Sequence, residues 1–85
     1  MRADILKQVL DSVDPDALKV DGFDKAIIGT AYRCGLNRVL AYDVNKIIKK
    51  LISQGMNEEE AWEYFEFNIE GAYMGEYTPI FIKAY

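Results

Sequence analysis

Residues 57–82 carry an acidic helix start, a dense aromatic face, a glycine-punctuated link and a proline-led strand, in that order. Seven of the 11 aromatic residues fall in this window. Each aromatic ring buries a large area, so the window must supply core, interface or pocket wall. Asn57 and Glu60 have the spacing of an Asx variant of the capping box. Glu58 and Glu59 add negative charge near the helix N-terminus, where the dipole favours it. Ala61, Trp62, Phe65, Asn68 and Ile69 are expected to share the inner face. Gly71 and Gly75 bracket the exit. Pro79 can open an edge strand, Ile80 to Ile82, where its missing N–H is tolerated.

Upstream, Ile5, Leu6, Val9, Leu10 and Val13 lie on one helical face. Asp14-Pro15 ends that helix, because the residue before proline avoids the helical region. An Asp-rich connector over 16–24 follows, pinned by Leu18, Val20 and Phe23. Ala26–Arg33 and Arg38–Tyr42 read as two strands around the hairpin loop Gly35-Leu36-Asn37. Both strands carry apolar groups on both faces. One face suits the chain's own helices; the other needs more helix or a second subunit. Asp43 can cap a helix whose Val44, Ile47, Ile48, Leu51 and Ile52 form an apolar stripe. Lys46, Lys49 and Lys50 lie off that stripe and read as a solvated face. Gly55 suits the helix exit.

The order is α-β-β-α-α-β. The expectation is an α+β fold in a single domain, residues 1–85. It combines a small mixed or antiparallel sheet with helices on one face, with residues 1–15 forming an N-terminal helix.

A chain of 85 residues buries little more than about 60% of its unfolded surface and needs an added source of stability. One cysteine excludes an internal disulfide, and the lack of histidine argues against a Cys/His zinc site. Self-association remains, so a homo-oligomer is expected. Hydrophobic content of 51% excludes general disorder. Net charge of −4 argues against general nucleic-acid binding. The opening Met1-Arg2-Ala3-Asp4 is not expected to be a signal peptide. No apolar run approaches the roughly 20 residues of a membrane span. A cytoplasmic location and no membrane partner are expected.

Candidate chemistry is sparse. Asn68 falls on an apolar stripe, where an amide must find partners or face a ligand. Tyr32, Tyr73 and Tyr77 could stack on a ring. Arg33 and Arg38 flank the hairpin and could hold phosphate through their multi-donor forks. Thr78 lies in the same link as Tyr77. Packing, or a solvated hairpin end, is the alternative for each. Asp21, Asp24, Asp43, Glu70 and Glu76 do not match the spacing of a calcium loop. Cys34 lacks a histidine to activate it, and no phosphate-binding glycine loop opens a helix. No catalytic residue, metal or cofactor is expected.

The blocks Gly22-Phe23-Asp24-Lys25-Ala26-Ile27-Ile28-Gly29, Tyr42-Asp43, Phe65-Glu66-Phe67-Asn68-Ile69-Glu70-Gly71-Ala72-Tyr73 and Gly75-Glu76-Tyr77-Thr78-Pro79-Ile80-Phe81 carry a resemblance. Over residues 20–82 the chain resembles a family of short, uncharacterised tailed-bacteriophage proteins with bacterial relatives. The resemblance implies a viral context, inside an infected bacterial host, and no particular activity. It leads to three expectations. The first is a non-catalytic, homo-oligomeric accessory protein that sequesters a nucleotide-derived host immune signal. Arg33 and Arg38 would hold phosphate there, Tyr32, Tyr73 or Tyr77 would stack, Asn68 would shape the pocket or read an edge, and Thr78 would also touch the ligand. The second is an inhibitor that presents its acidic third helix to a host enzyme. The third is a carboxylate-dependent hydrolase.

Overall fold

The computed structural model describes residues 2–32, 35, 37–72 and 75–85. Helix α1 spans Ala3–Ser12 and stops before Asp14-Pro15, as the proline requires. Strand β1 spans Ile27–Ala31 and β2 spans Val39–Asp43. Helix α2 spans Val44–Ser53, α3 spans Glu58–Tyr64 and β3 spans Ile80–Ile82. The element order matches the α-β-β-α-α-β expectation. Ala26 belongs to a 3-10 turn over Asp24–Ala26 and not to the first strand.

The sheet is mixed, in the order β1-β2-β3. β1 and β2 pair antiparallel, with Thr30 opposite Leu40 and Ala31 opposite Val39. The ladder slips between Ile27 and Gly29, so Ile28 is an extra residue in a bulge. β2 and β3 pair parallel, with Tyr42 opposite Phe81. Such a pair needs a long crossover, which α2 and α3 supply.

Ile27, Leu40 and Tyr42 face a core completed by Ile47, Ile48 and Leu51 of α2 and by Ala61, Phe65 and Ile69. Leu6, Val9 and Leu10 of α1, with Val13 just past its end, pack against the same core but are only half-buried, and no residue of α1 is fully buried. Trp62, Phe65 and Phe81 form successive edge-on contacts at 6.1 and 5.3 Å. Tyr42 continues the chain of rings, 5.9 Å from Phe81. Within the aromatic window Phe65 is therefore core and Trp62 and Phe81 are half-buried against it, while Tyr64 and Phe67 are exposed.

The caps form as their residue types dictate. The Asp43 carboxylate accepts from the backbone N–H groups of Asn45 and Lys46. Asn57 and Glu60 close a full capping box, at 2.8 and 3.1 Å.

The third helix departs from expectation beyond Tyr64. Phe65–Ile69 is a π-helical turn, followed by a 3-10 turn over Glu70–Ala72. A π turn takes one more residue than an α turn, so it rotates every later side chain. Phe65 and Ile69 stay buried, while Asn68 turns out to solvent. The expected inner-face amide is thus an exposed one. Gly71 fits the turn because a Cβ there would lie 2.9 Å from the carbonyl oxygen of Glu66.

Candidate anion-binding groove

Lys46, Lys49, Lys50 and Ser53 recur at i, i+3, i+4 and i+7 along α2 and share a face beside its apolar stripe. The sequence reading gave this face to solvent. The structure sets the 19–26 connector against it, and the two walls enclose an open groove of about 710 Å³. Small-ligand sites typically have volumes of roughly 300–1,000 Å³. Lys19, Phe23, Asp24 and Lys25 line the connector side. Five of the chain's 10 cationic side chains thus meet around one hollow, with Asp24 as its single carboxylate among the described residues.

The connector is fixed by contacts that span the fold. Val20 is buried, and its N–H donates to the Tyr42 hydroxyl at 2.9 Å. The Lys50 ammonium donates to the carbonyl of Gly22 and lies 5.2 Å from the centre of the Phe23 ring. Lys19 pairs with Asp24 at 3.0 Å. Among the described residues, no hydrogen bond or ion pair engages the ammonium groups of Lys25, Lys46 and Lys49. Gathering like charges in one hollow costs self-repulsion, and a bound anion relieves it.

The residues singled out from sequence lie elsewhere. Arg38 stacks its guanidinium 4.6 Å from the centre of the Tyr32 ring, and Tyr32 is largely exposed. The Arg38 carbonyl accepts from the Asp14 N–H at 2.9 Å, and the Tyr77 carbonyl accepts from the Leu18 N–H at 3.1 Å. The Asn37 side chain, next to Arg38 in sequence, acts on the Tyr77 hydroxyl and favours its ionised form. Tyr32, Arg38 and Tyr77 therefore gather at the hairpin end of the molecule, with Thr78 next in sequence and half-buried. That end is acidic: the Asp14 carboxylate foremost, then desolvation, Glu76 and Asp16, raise the Tyr77 pKa above its ordinary 10.0. Such surroundings oppose phosphate.

Asn68 is not brought to this place. It lines a shallow hollow with Met56, Glu60, Glu63, Tyr64 and Phe67. Arg33, Tyr73 and Cys34 lie outside the described residues.

The lysine groove had no local signal. Lys19 and Lys25 are separated from Lys46 by over twenty residues, and only the tertiary fold joins them. Comparison with known protein families, with curated proteins and with solved structures finds no match. No helix among the described residues is long and apolar enough to cross a membrane.

Proposed function

We propose that this chain is a small, non-catalytic binding protein that captures an anionic, nucleotide-derived ligand in its lysine groove. One observation carries the reading: five lysines face one carboxylate in a ligand-sized hollow, on a chain whose net charge is −4. Random placement on an acidic surface does not favour such a cluster, and its focused positive field attracts an anion. The sequence reading put phosphate at the hairpin arginines; the acidic surroundings of Tyr77 favour the groove instead. In the viral context that the resemblance implies, capture without chemistry would lower the free concentration of a host immune signal.

Self-association belongs to the same reading. Ile80 and Ile82 flank Phe81 along the strand, so they point away from the core that Phe81 joins. Both are exposed, as is the bulged Ile28. A second copy would cover them.

A thermal-shift series with nucleoside triphosphates, cyclic dinucleotides and ADP-ribose tests the capture. Mass action gives about 2.7 kcal/mol of stabilisation at one hundred times Kd. Ligand recovered unmodified after heat denaturation separates capture from hydrolysis. The absence of any shift, with every compound at millimolar concentration, would remove the reading.

A second reading rests on a different surface. Phe67 is 78% exposed on a helical segment that also carries Glu59, Glu63 and Glu66. An exposed ring among carboxylates suits a cationic protein surface. Charge reversal at Glu59, Glu63 and Glu66 that abolishes capture of a host enzyme would favour this reading.

A further inference from the structure

The geometry points to a groove that selects its ligand by the number of linked phosphates and not by the base. This inference rests on the binding reading above and narrows the ligand class to phosphate chains.

Reading a base requires hydrogen-bonding groups that match its edge. The groove has almost none to spare. Among the described residues, its polar side chains apart from the lysines are Asp24 and Ser53. One oxygen of Asp24 is paired with Lys19 at 3.0 Å, and the Ser53 hydroxyl donates to the Lys50 carbonyl at 2.6 Å, so no side chain among the described lining residues other than the lysines offers a free donor to a base edge. Stacking is equally restricted. Phe23 is the one aromatic in the lining among the described residues, it is half-buried, and the Lys50 ammonium already approaches its ring.

The charge left for a ligand is that of Lys25, Lys46 and Lys49. Lys46 and Lys49 are three apart on α2, a spacing that puts their Cβ atoms about 5–6 Å from each other. A di- or triphosphate brings enough charge and enough acceptor oxygens to engage all three ammoniums at once, whereas a single phosphate brings fewer of both. Lysine ammoniums are compact point charges with rotatable donors, so they tolerate varied phosphate geometry where an arginine fork would fix it. A cyclic dinucleotide carries only two negative charges, held apart by its sugars, and meets this cluster less well than a triphosphate does.

The test is calorimetric titration of the intact chain with tripolyphosphate, ATP, GTP, pyrophosphate, AMP and a cyclic dinucleotide at fixed ionic strength. Tripolyphosphate, ATP and GTP should bind with similar Kd, and affinity should fall about tenfold for each phosphate removed. Lys25→Gln, Lys46→Gln and Lys49→Gln, all at exposed positions, should each weaken tripolyphosphate binding while the circular dichroism spectrum stays unchanged. Phe23→Leu should leave the ratio of ATP to tripolyphosphate affinity unchanged. A cyclic dinucleotide that binds more tightly than tripolyphosphate, or ATP and GTP that differ by more than about tenfold, would overturn the inference and leave the binding reading standing. A short DNA duplex that outcompetes tripolyphosphate would also overturn it, by assigning the groove to nucleic acid. Binding of none of these compounds would remove both readings together.

Discussion

The Tyr42 hydroxyl accepts the backbone N–H of Val20 at 2.9 Å, and both residues are buried. This bond ties the central strand to the connector that forms one wall of the lysine groove. Tyr42 has no measurable exposure, so the ring and the bond are both shielded from water. A fold contact thereby also fixes one wall of the proposed ligand site.

Tyr42→Phe should cost about 1–3 kcal/mol, because the Val20 N–H is left without its acceptor in the core. Urea denaturation should show a lower midpoint with an unchanged slope. Hydrogen exchange at Val20 and its neighbours should speed up more than exchange in α3. An unchanged midpoint would show that the bond contributes nothing net.

Gly71→Ala forces a Cβ to within 2.9 Å of the Glu66 carbonyl oxygen, so backbone must shift. A loss of about 1–3 kcal/mol is expected. Thermal unfolding should fall by several degrees, since 1 kcal/mol corresponds to about 4–8 °C in a domain of this size. If the π turn reverts to an α turn in the variant, nuclear Overhauser contacts should place Asn68 on the core side. An equally stable variant with its original contacts would refute the steric account.

Asn57→Ala removes one half of the capping box and should cost about 1 kcal/mol. Asn57→Asp should retain most of the stability, because its carboxylate can accept the Glu60 N–H and favours the helix N-terminus. Equal losses in the two variants would mean that the cap contributes little.

Tyr77 should keep its phenolic proton above the ordinary value of 10.0, chiefly because of the Asp14 carboxylate. A pKa raised on folding contributes stability that is fully present below about pH 10 and lost as pH rises through the folded value. Asp14→Asn should lower the phenolate midpoint, and Asn37→Ala should raise it by removing a bond that lowers it. Phenolate absorbance of each variant, differenced against Tyr77→Phe, reads the shift directly. A midpoint unmoved by Asp14→Asn would assign the shift to another cause.

Lysine pairs and the apolar strand face can be separated by two further variants. Lys46→Glu with Lys49→Glu should abolish phosphate binding and change stability by less than about 0.5 kcal/mol, since both side chains are exposed. Ile80→Lys with Ile82→Lys should leave binding intact but shift the mass measured by light scattering toward the monomer. A parent chain that is already monomeric at high concentration would refute the covering role of a second copy.

The parts of the fold legible in sequence were those set by local rules. Asp43, Asn57 and Gly55 mark helix ends through cap chemistry, and the stripe Val44, Ile47, Ile48 and Leu51 turns into the core as its period requires. Asn68 was misplaced because the inner face was drawn with an uninterrupted α period. The π turn that breaks this period depends on packing of Phe65 and Ile69, together with the missing Cβ at Gly71. The groove was invisible for another reason. Its two walls are far apart along the chain, and neither half carries a motif by itself.

The parallel pairing of β3 with β2 bears on how the chain reaches its fold. Asp43 and Ile82 meet only after nearly forty intervening residues have been arranged. Closing so long a loop is entropically late, whereas the β1–β2 hairpin and the α2–α3 pair involve nearer neighbours. β3 is therefore expected to be the last strand to dock. Conservative truncation of its core-facing residue, such as Phe81→Leu, should speed unfolding while leaving the folding rate almost unchanged. Stopped-flow chevrons measure both rates, and a slowed folding arm would place β3 in the nucleus instead. In the expected order, the sheet first forms as a hairpin with one open edge. The central strand is then exposed to wrong partners for the interval before β3 arrives, and short-lived aggregation belongs to that interval.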